Sequence, residues 1–264
     1  MRGASVGAPR PETASGADVL ADLPEKTRRR LEALDTVLFD FDGTVVNTVE
    51  LITASFRYTL PKVLGITLPD EVLIQNVGMP LLQQMQIFDP EKADELVRVY
   101  REHNRRYHDS LIEEFPGARE ALLEVRQAGY KTGLVTSKSR ELTLRGMRLF
   151  DLEPLFDVCI FCEDTTKHKP NPEPVLEALR RIEGEPRRSA FIGDSPHDIT
   201  AGRAAGVLAI AALWGPFPRQ RVLAAGPDVV LQSVGQLPEL MRSTTAGRAN
   251  ASGPASRQRG PSRS

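Results

Sequence analysis

Carboxylates recur in this sequence where apolar runs end. Thr36-Val37-Leu38-Phe39 runs into Asp40-Phe41-Asp42-Gly43-Thr44, and Ser189-Ala190-Phe191-Ile192-Gly193 runs into Asp194, with Asp198 four residues on. A third apolar run closes on Thr136-Ser137-Lys138, and a fourth leads to Lys169-Pro170. Short apolar runs of this kind read as buried strands. In an open parallel sheet the carboxyl ends of the strands lie side by side at the ligand crevice. Asp40, Asp42, Asp194 and Asp198 would then crowd together, and crowded carboxylates repel and cannot all ionise unaided. A divalent cation resolves the conflict, and Mg²⁺ prefers carboxylates, water and substrate phosphate. Lys169 adds one fixed positive charge, and the hydroxyls of Thr136 and Ser137 can donate to anionic oxygens. A metal, a lysine and such donors around one free carboxylate suit phosphoryl transfer. Asp40 could attack phosphorus as a nucleophile and form an aspartyl phosphate. Asp42, on the same side of the strand at i+2, could protonate the leaving oxygen and later deprotonate the attacking water. Gly43 permits a sharp exit from the strand and a close backbone approach to ligand.

Such residues need elements to hold them. The strand Thr36–Asp40 is followed by a stretch from Glu50 to about Glu114 that reads almost wholly helical, broken by Pro61, Pro69 and Pro80. A helix from Gly117 to Ala128, a strand YKTGLVTS and a helix ELTLRGMRLF come next. Then come a strand DVCIFCE, a helix opened by Pro172 and Pro174, a strand SAFIGD, a helix from Asp198 to Ala205, and strands LAIAAL and DVVL. Strands alternating with helices imply a doubly wound, Rossmann-like parallel α/β sheet. A simple crossover needs only about a dozen residues. The long helical stretch is therefore expected as a small inserted cap domain over 48–115, hinged near Val46–Val49 and Glu114–Gly117, with the core at 33–47 and 116–242. It would sit over the strand ends as a lid.

The two ends read as tails. Residues 1–32 are expected as a disordered or loosely helical extension, with no apolar period up to about Pro24, and 243–264 as a disordered tail. The chain of 264 residues carries a formal charge of −1, with 41% hydrophobic and 26% charged residues. That is ordinary for a soluble globular protein and excludes a polybasic nucleic-acid binder. No apolar run approaches the ~20 residues that span a bilayer, and the first thirty residues show no secretory signal. Two cysteines make a reduced, cytoplasmic setting the expectation. The partners expected are a small phosphate-containing substrate, no nucleic acid and no membrane, with the chain a monomer or dimer.

DFDGT, the Thr136 strand end, Lys169-Pro170 and GDSPHD, in this order, resemble the four motifs of the haloacid dehalogenase (HAD) superfamily of phosphatases. The resemblance covers roughly residues 35 to 242. It implies Asp40 as nucleophile, Asp42 as acid/base, and Mg²⁺ held by Asp40, the Asp42 carbonyl and Asp194, with Asp198 positioning the metal or its waters. Thr136 and Lys169 would hold the transferring phosphoryl group, and the insert would be a C1-type cap. A narrower set of segments, including FDFDGTVVNTVELITASFRYTL, YREHNRRYHDSLIEEFPG and HKPNPEP, looks like the PpaX-type pyrophosphatases, which hydrolyse inorganic pyrophosphate in bacterial cytoplasm. In that reading Gly43, Thr44, Ser137, Arg101 and His108 contact substrate.

Blander readings compete at several positions. Lys138 reads as solvent-facing, since isolated lysines usually are. The cap cluster Arg101, His103, Asn104, Arg105, Arg106 and His108 falls on one helix, so part of it must face outward. Gly78-Met79-Pro80 is either a loop dipping toward the site or a turn. Asp164 either orients Lys169 or caps the loop before it. Cys159 and Cys162 read as core thiols on a strand, pointing to opposite faces. Among whole-protein alternatives, a phosphoglycolate phosphatase-like monoesterase or a phosphomutase would use the same residues. A dehalogenase would need neither Asp42 nor a metal, and a receiver-type signalling module would be about half as long and lack the insert.

Overall fold

The structure, a computed structural model, describes residues 16–242. The helices α1 (Gly16–Ala21) and α2 (Glu25–Glu32) lead into strand β1 (Thr36–Phe39). The short strand β2 (Val46–Asn47) opens the insert, which comprises α3 (Val49–Leu64), α4 (Asp70–Leu73), α5 (Leu81–Phe88) and α6 (Ala93–Leu111). Strand β3 (Glu113–Glu114) closes it. The chain continues through α7 (Ala118–Gln127), β4 (Lys131–Val135), α8 (Arg140–Leu149), β5 (Val158–Ile160), α9 (Glu173–Ile182), β6 (Ser189–Gly193), α10 (Pro196–Ala204), β7 (Leu208–Ala212), α11 (Arg219–Ala224) and β8 (Val229–Leu231). Residues 236–242 are again helical.

Six strands form one sheet in the order β5-β4-β1-β6-β7-β8, all pairs parallel. The chain builds outward from β1 to β4 and β5, then returns to build β6, β7 and β8 on the other side. β1 is thus the topological switch point, where ligands bind beyond the carboxyl ends of the strands. All four β1 residues are buried, with Val37 and Phe39 in one apolar cluster and Leu38 in the opposite one. That alternation is what helices on both faces require.

The insert leaves β1 through one antiparallel pair, Val46 opposite Glu114 and Asn47 opposite Glu113. Its core joins Ile52, Phe56, Leu60, Leu73, Met85, Leu96 and Tyr100, and this cluster continues into Ile199, Ala209, Ala211 and Phe217 of the sheet unit. Pro69 and Pro80 precede α4 and α5, as expected, but Pro61 lies within α3, which runs on to Leu64 and ends at Gly65 in a left-handed conformation. Pro61 sits in the final turn, and it withholds one bond, the one its N–H would have given to the Arg57 carbonyl a turn earlier.

Within the N-terminal extension, expected as disordered or loosely helical, the described residues form α1 and α2, and Val19, Leu20, Leu23 and Leu31 pack into the main core cluster. Residues 1–15 and 243–264 lie outside the described residues, as does the tail expected there. β5 stops at Ile160, earlier than the DVCIFCE run suggested. The Asp164 carboxylate accepts from the Phe161 N–H at 2.9 Å and winds 162–164 into a 3₁₀ turn. No helix among the described residues is long and apolar enough to cross a membrane.

Candidate active site

Asp40 is the first residue beyond β1, and its own N–H continues the ladder to the Ile192 carbonyl at 2.9 Å. The neighbouring strands deliver the rest: β4 leads to Thr136, β6 to Asp194. Gly43 turns the chain away at φ +77°, and backbone passes so close there that a side-chain carbon on Gly43 would lie 2.5 Å from Asp194 Oδ2. Gly215 packs as tightly on Asp194: a side-chain carbon there would lie 2.3 Å from Asp194 Cβ. Asp194 is thus clasped between two glycines, and its Oδ1 accepts a hydrogen bond from the Thr44 hydroxyl at 2.9 Å. Trp214 braces the same loop by donating from Nε1 to the Thr44 carbonyl.

Asp198 enters from the first turn of α10, which begins at Pro196, two residues before the start expected from the sequence. Ser195 caps that helix: its hydroxyl accepts from the Asp198 N–H, and Asp198 Oδ2 accepts from the Ser195 N–H at 3.0 Å. This reciprocal box satisfies two helix-end donors. It also fixes Asp198 Oδ1 beside Lys169, at 2.6 Å from Nζ. The same ammonium lies 2.7 Å from Asp40 Oδ1 and 3.4 Å from the Val135 carbonyl. Lys169 is 2% exposed, so these acceptors hold all three of its donors.

Asp40, Asp194 and Asp198 are all buried, and each offers an oxygen within 4.8 Å of the others. One ammonium does not balance three carboxylates. Burial and the charge of Asp198 push the Asp40 carboxyl up to about 7 against the pull of Lys169. Burial, then Asp198 and Asp40, push Asp194 up as well. Among the described residues no protein donor reaches Asp40 Oδ2 or Asp194 Oδ2, whereas Asp198 Oδ2 accepts from Ser195 and Asp198 Oδ1 is ion-paired with Lys169. An all-oxygen cluster with excess negative charge and two unclaimed oxygens fits a hard divalent cation.

Above this cluster lies a cavity of about 170 Å³ between sheet unit and insert. Asp40, Asp42, Thr136, Ser137 and Lys138 line it from below; Gly78, Met79, Gln84, Tyr100, Arg101 and Asn104 line it from the insert. The 78–80 loop therefore dips toward the site. A side-chain carbon on Gly78 would come within 3.2 Å of Ser195 Oγ. Asp164 does not touch Lys169; its partners are the Phe161 N–H, Arg140 and Arg181.

Several expected contacts fall elsewhere. Lys138, expected in solvent, turns inward and places Nζ 2.8 Å from Asp42 Oδ1, with the two side chains 10% and 16% exposed. Its signal in the sequence was its place two residues beyond Thr136, at the end of the strand that leads into the site. Gly43 and Thr44 do not line the cavity. The Gly43 N–H donates to the Val46 carbonyl and the Thr44 hydroxyl to Asp194, so both build the site from outside. His108 is fully buried, with Nδ1 at 2.8 Å from Asp109 and its ring against Gly146, and it does not line the cavity. Arg105 pairs with Glu141, and His103 stacks between Tyr58 and Tyr107. Cys159 lies on β5 but Cys162 lies beyond it and lines the cavity. Gln84 and Tyr100 were missed altogether. Tyr100 shares a buried stripe with Leu96, and nothing distinguished it from a core aromatic.

A parallel sheet whose switch point carries an acidic cluster, a saturated lysine and a helical insert defines a capped α/β hydrolase of phosphate compounds. The haloacid dehalogenase-like hydrolase model matches residues 37–212, and the chain belongs to that family as one of its phosphatases. It is 39% identical over 209 residues to "Putative pyrophosphatase PpaX" of Caldanaerobacter subterraneus, covering 79% of this chain and 95% of that one. It is 35% identical over 208 residues to "Pyrophosphatase PpaX" of Halalkalibacterium halodurans, covering 79% and 97%. A solved structure described as a "putative phosphoglycolate phosphatase" from Lactobacillus plantarum superposes with a TM-score of 0.69 at 28% identity, covering 78% and 99%.

Proposed function

We propose that the protein is a Mg²⁺-dependent inorganic pyrophosphatase of the cytoplasm that works through an aspartyl-phosphate intermediate. The observation that carries the reading is the buried set Asp40, Asp194, Asp198 and Lys169 behind a small cavity that Asp42, Thr136, Ser137 and Lys138 line from below. Similarity to the PpaX relatives over nearly their whole length supports pyrophosphate as the substrate.

Asp40 attacks phosphorus, and Lys169 holds its carboxylate in place and ionised for that role. Asp42, on the cavity side, meets the oxygen that leaves and afterwards takes a proton from the attacking water. The Thr136 and Ser137 hydroxyls and nearby N–H groups hold the phosphoryl oxygens. Asp40 and Asp194, with the Asp42 carbonyl, would hold Mg²⁺, and Asp198 would keep Lys169 and the metal's waters in position. When bound, the ion neutralises charge on the phosphoryl oxygens. Closure of the insert over the cavity would exclude bulk water from the first step.

The test compares kcat/KM for pyrophosphate, phosphoglycolate, acetyl phosphate and sugar phosphates in the presence of Mg²⁺. Pyrophosphate should be the best substrate. A phosphoglycolate phosphatase is the second reading, favoured by the Lactobacillus plantarum structure, and a strong preference for a monoester would establish it instead.

A further inference from the structure

We propose that Lys138 is the cation that takes the second, departing phosphoryl group, and that it thereby favours a diphosphate over a phosphate ester. The inference rests on the pyrophosphatase reading and names the residue of that site which would select the substrate.

The site contains two inward lysines, and they differ in what they have left to offer. Lys169 is saturated by Asp40, Asp198 and the Val135 carbonyl. Lys138 has one acceptor among the described residues, Asp42 Oδ1 at 2.8 Å. An ammonium carries three donors, so two of Lys138's have no protein partner. Its side chain is one-tenth exposed and lines the cavity. Its stem is fixed as well. The Lys138 N–H donates to Thr136 Oγ1 at 3.1 Å, and its carbonyl accepts from the Cys162 N–H at 3.1 Å.

An ion pair kept only for stability is a poor explanation of this arrangement. Desolvating two charges offsets most of their attraction, and an apolar pair would serve a wall of the fold as well. The remaining charges of the cavity point the same way. Its lining anions are Asp40, Asp42 and Glu163; Asp40 is held by Lys169, and Glu163 accepts from the Arg140 N–H at the start of α8. Arg101 is the only other lining cation, and it is exposed, at the outer wall.

The chemistry at Asp42 assigns the unused donors. In the first step a bond forms between Asp40 and the attacked phosphorus while the bridging P–O bond breaks. The electron pair stays on the bridging oxygen, which departs with the second phosphate. Asp42 is the group facing that oxygen, and Lys138 is hydrogen-bonded to Asp42. A departing phosphate brings several anionic oxygens to this spot, whereas the leaving group of an ester such as p-nitrophenyl phosphate brings no such cluster of anionic oxygens. Preorganised donors aimed at developing charge are the strongest catalytic device available to a site of this kind.

The experiment measures kcat/KM for pyrophosphate and for p-nitrophenyl phosphate, with Mg²⁺, in wild-type protein and in Lys138→Met, Lys138→Gln and Lys138→Arg. Circular dichroism melts identify the neutral variant that folds. Removing one such donor costs roughly 10²-fold or more, so the neutral variants should lose about that on pyrophosphate and at least tenfold less on the ester. Lys138→Arg should recover part of the pyrophosphate rate. Equal losses on the two substrates, or no recovery with arginine, overturn the inference while leaving the pyrophosphatase reading intact. Wild-type protein that cleaves the ester but not pyrophosphate overturns that reading, and the inference falls with it.

Discussion

Replacing Lys169 with methionine tests the charge argument on which the site depends. The ammonium is 2% exposed and lies 2.7 Å from Asp40 and 2.6 Å from Asp198, so its removal leaves three buried carboxylates with no cation among them. Deleting one partner of a buried ion pair costs about 3–5 kcal/mol, because the remaining charge stays desolvated and uncompensated. Total stability is only ~5–15 kcal/mol, and for a domain of this size the loss lowers the melting temperature by roughly 6–20 °C. The variant must also depend more on pH. Asp40 is already raised from 3.8 to about 7 with Lys169 present, by burial first and Asp198 second, and without the ammonium it rises further. A carboxyl whose folded pKa exceeds its unfolded value keeps a proton that the unfolded chain releases. Its contribution is full below 3.8 and is lost as the pH climbs through 7 and beyond. Urea unfolding in EDTA, at acidic and at mildly alkaline pH, measures both effects. Mg²⁺ should restore more stability to Lys169→Met than to wild type, since the ion supplies the charge that was removed, while turnover stays lost. A variant as stable as wild type in EDTA at alkaline pH, or one that gains no more from Mg²⁺, would refute the charge argument.

Asp40→Asn should abolish phosphate release while leaving the melting curve cooperative, and appreciable residual turnover would remove Asp40 from the nucleophile's role. Gly193→Ala forces a carbon to within 2.3 Å of Asp198 Cβ and so pushes that carboxylate off Lys169; we expect a loss of activity larger than the ~1–3 kcal/mol destabilisation of an overpacked core, measured by comparing kcat with urea unfolding. Deleting residues 1–15 and 243–264 should leave kcat/KM unchanged. Extending the N-terminal deletion through Leu23 removes Val19, Leu20 and Leu23 from the core and should cost about 3 kcal/mol, at ~1 kcal/mol for each partly buried side chain, again without changing kcat/KM.

The strand ends were legible because burial on both faces leaves a strand with nothing but apolar residues, and the first polar residue then marks where it emerges. Asp40, Thr136 and Asp194 were found this way, and the parallel sheet followed from the alternation of strands with helices. What stayed hidden depended on partners far away in sequence. Thr44 faces Asp194 rather than the cavity because Gly43 reverses the chain before it. His108 faces Gly146, a close approach that no local pattern of α6 announces. Lys138 looked solvated because a lysine's usual environment is water, and only the carboxylate of Asp42, 96 residues away, keeps it inside. In the N-terminal segment the spacing of Val19, Leu20 and Leu23 is that of a helix stripe, but a Gly-, Ala- and Pro-rich composition masked it.

The two lysines give Asp40, the proposed nucleophile, and Asp42, the proposed acid/base, different cation partners although they sit only two residues apart. Asp40 and Asp42 leave the same strand end, and the charge of Asp42 adds to the upward push on Asp40. The fold separates them by pairing each with its own ammonium, brought in from different sides of β1. Lys169 comes from the loop before α9 and is tied to Asp198 of α10, beneath the cavity. Lys138 comes from the end of β4, within the cavity. The lower pair has no donor to spare, which suits the proposed role of holding a nucleophile beside a metal. The upper pair has two, and faces the cavity in which the proposed leaving group would depart. A sheet built outward from β1 in both directions makes this possible, since only at its switch point can loops from both halves reach one strand end.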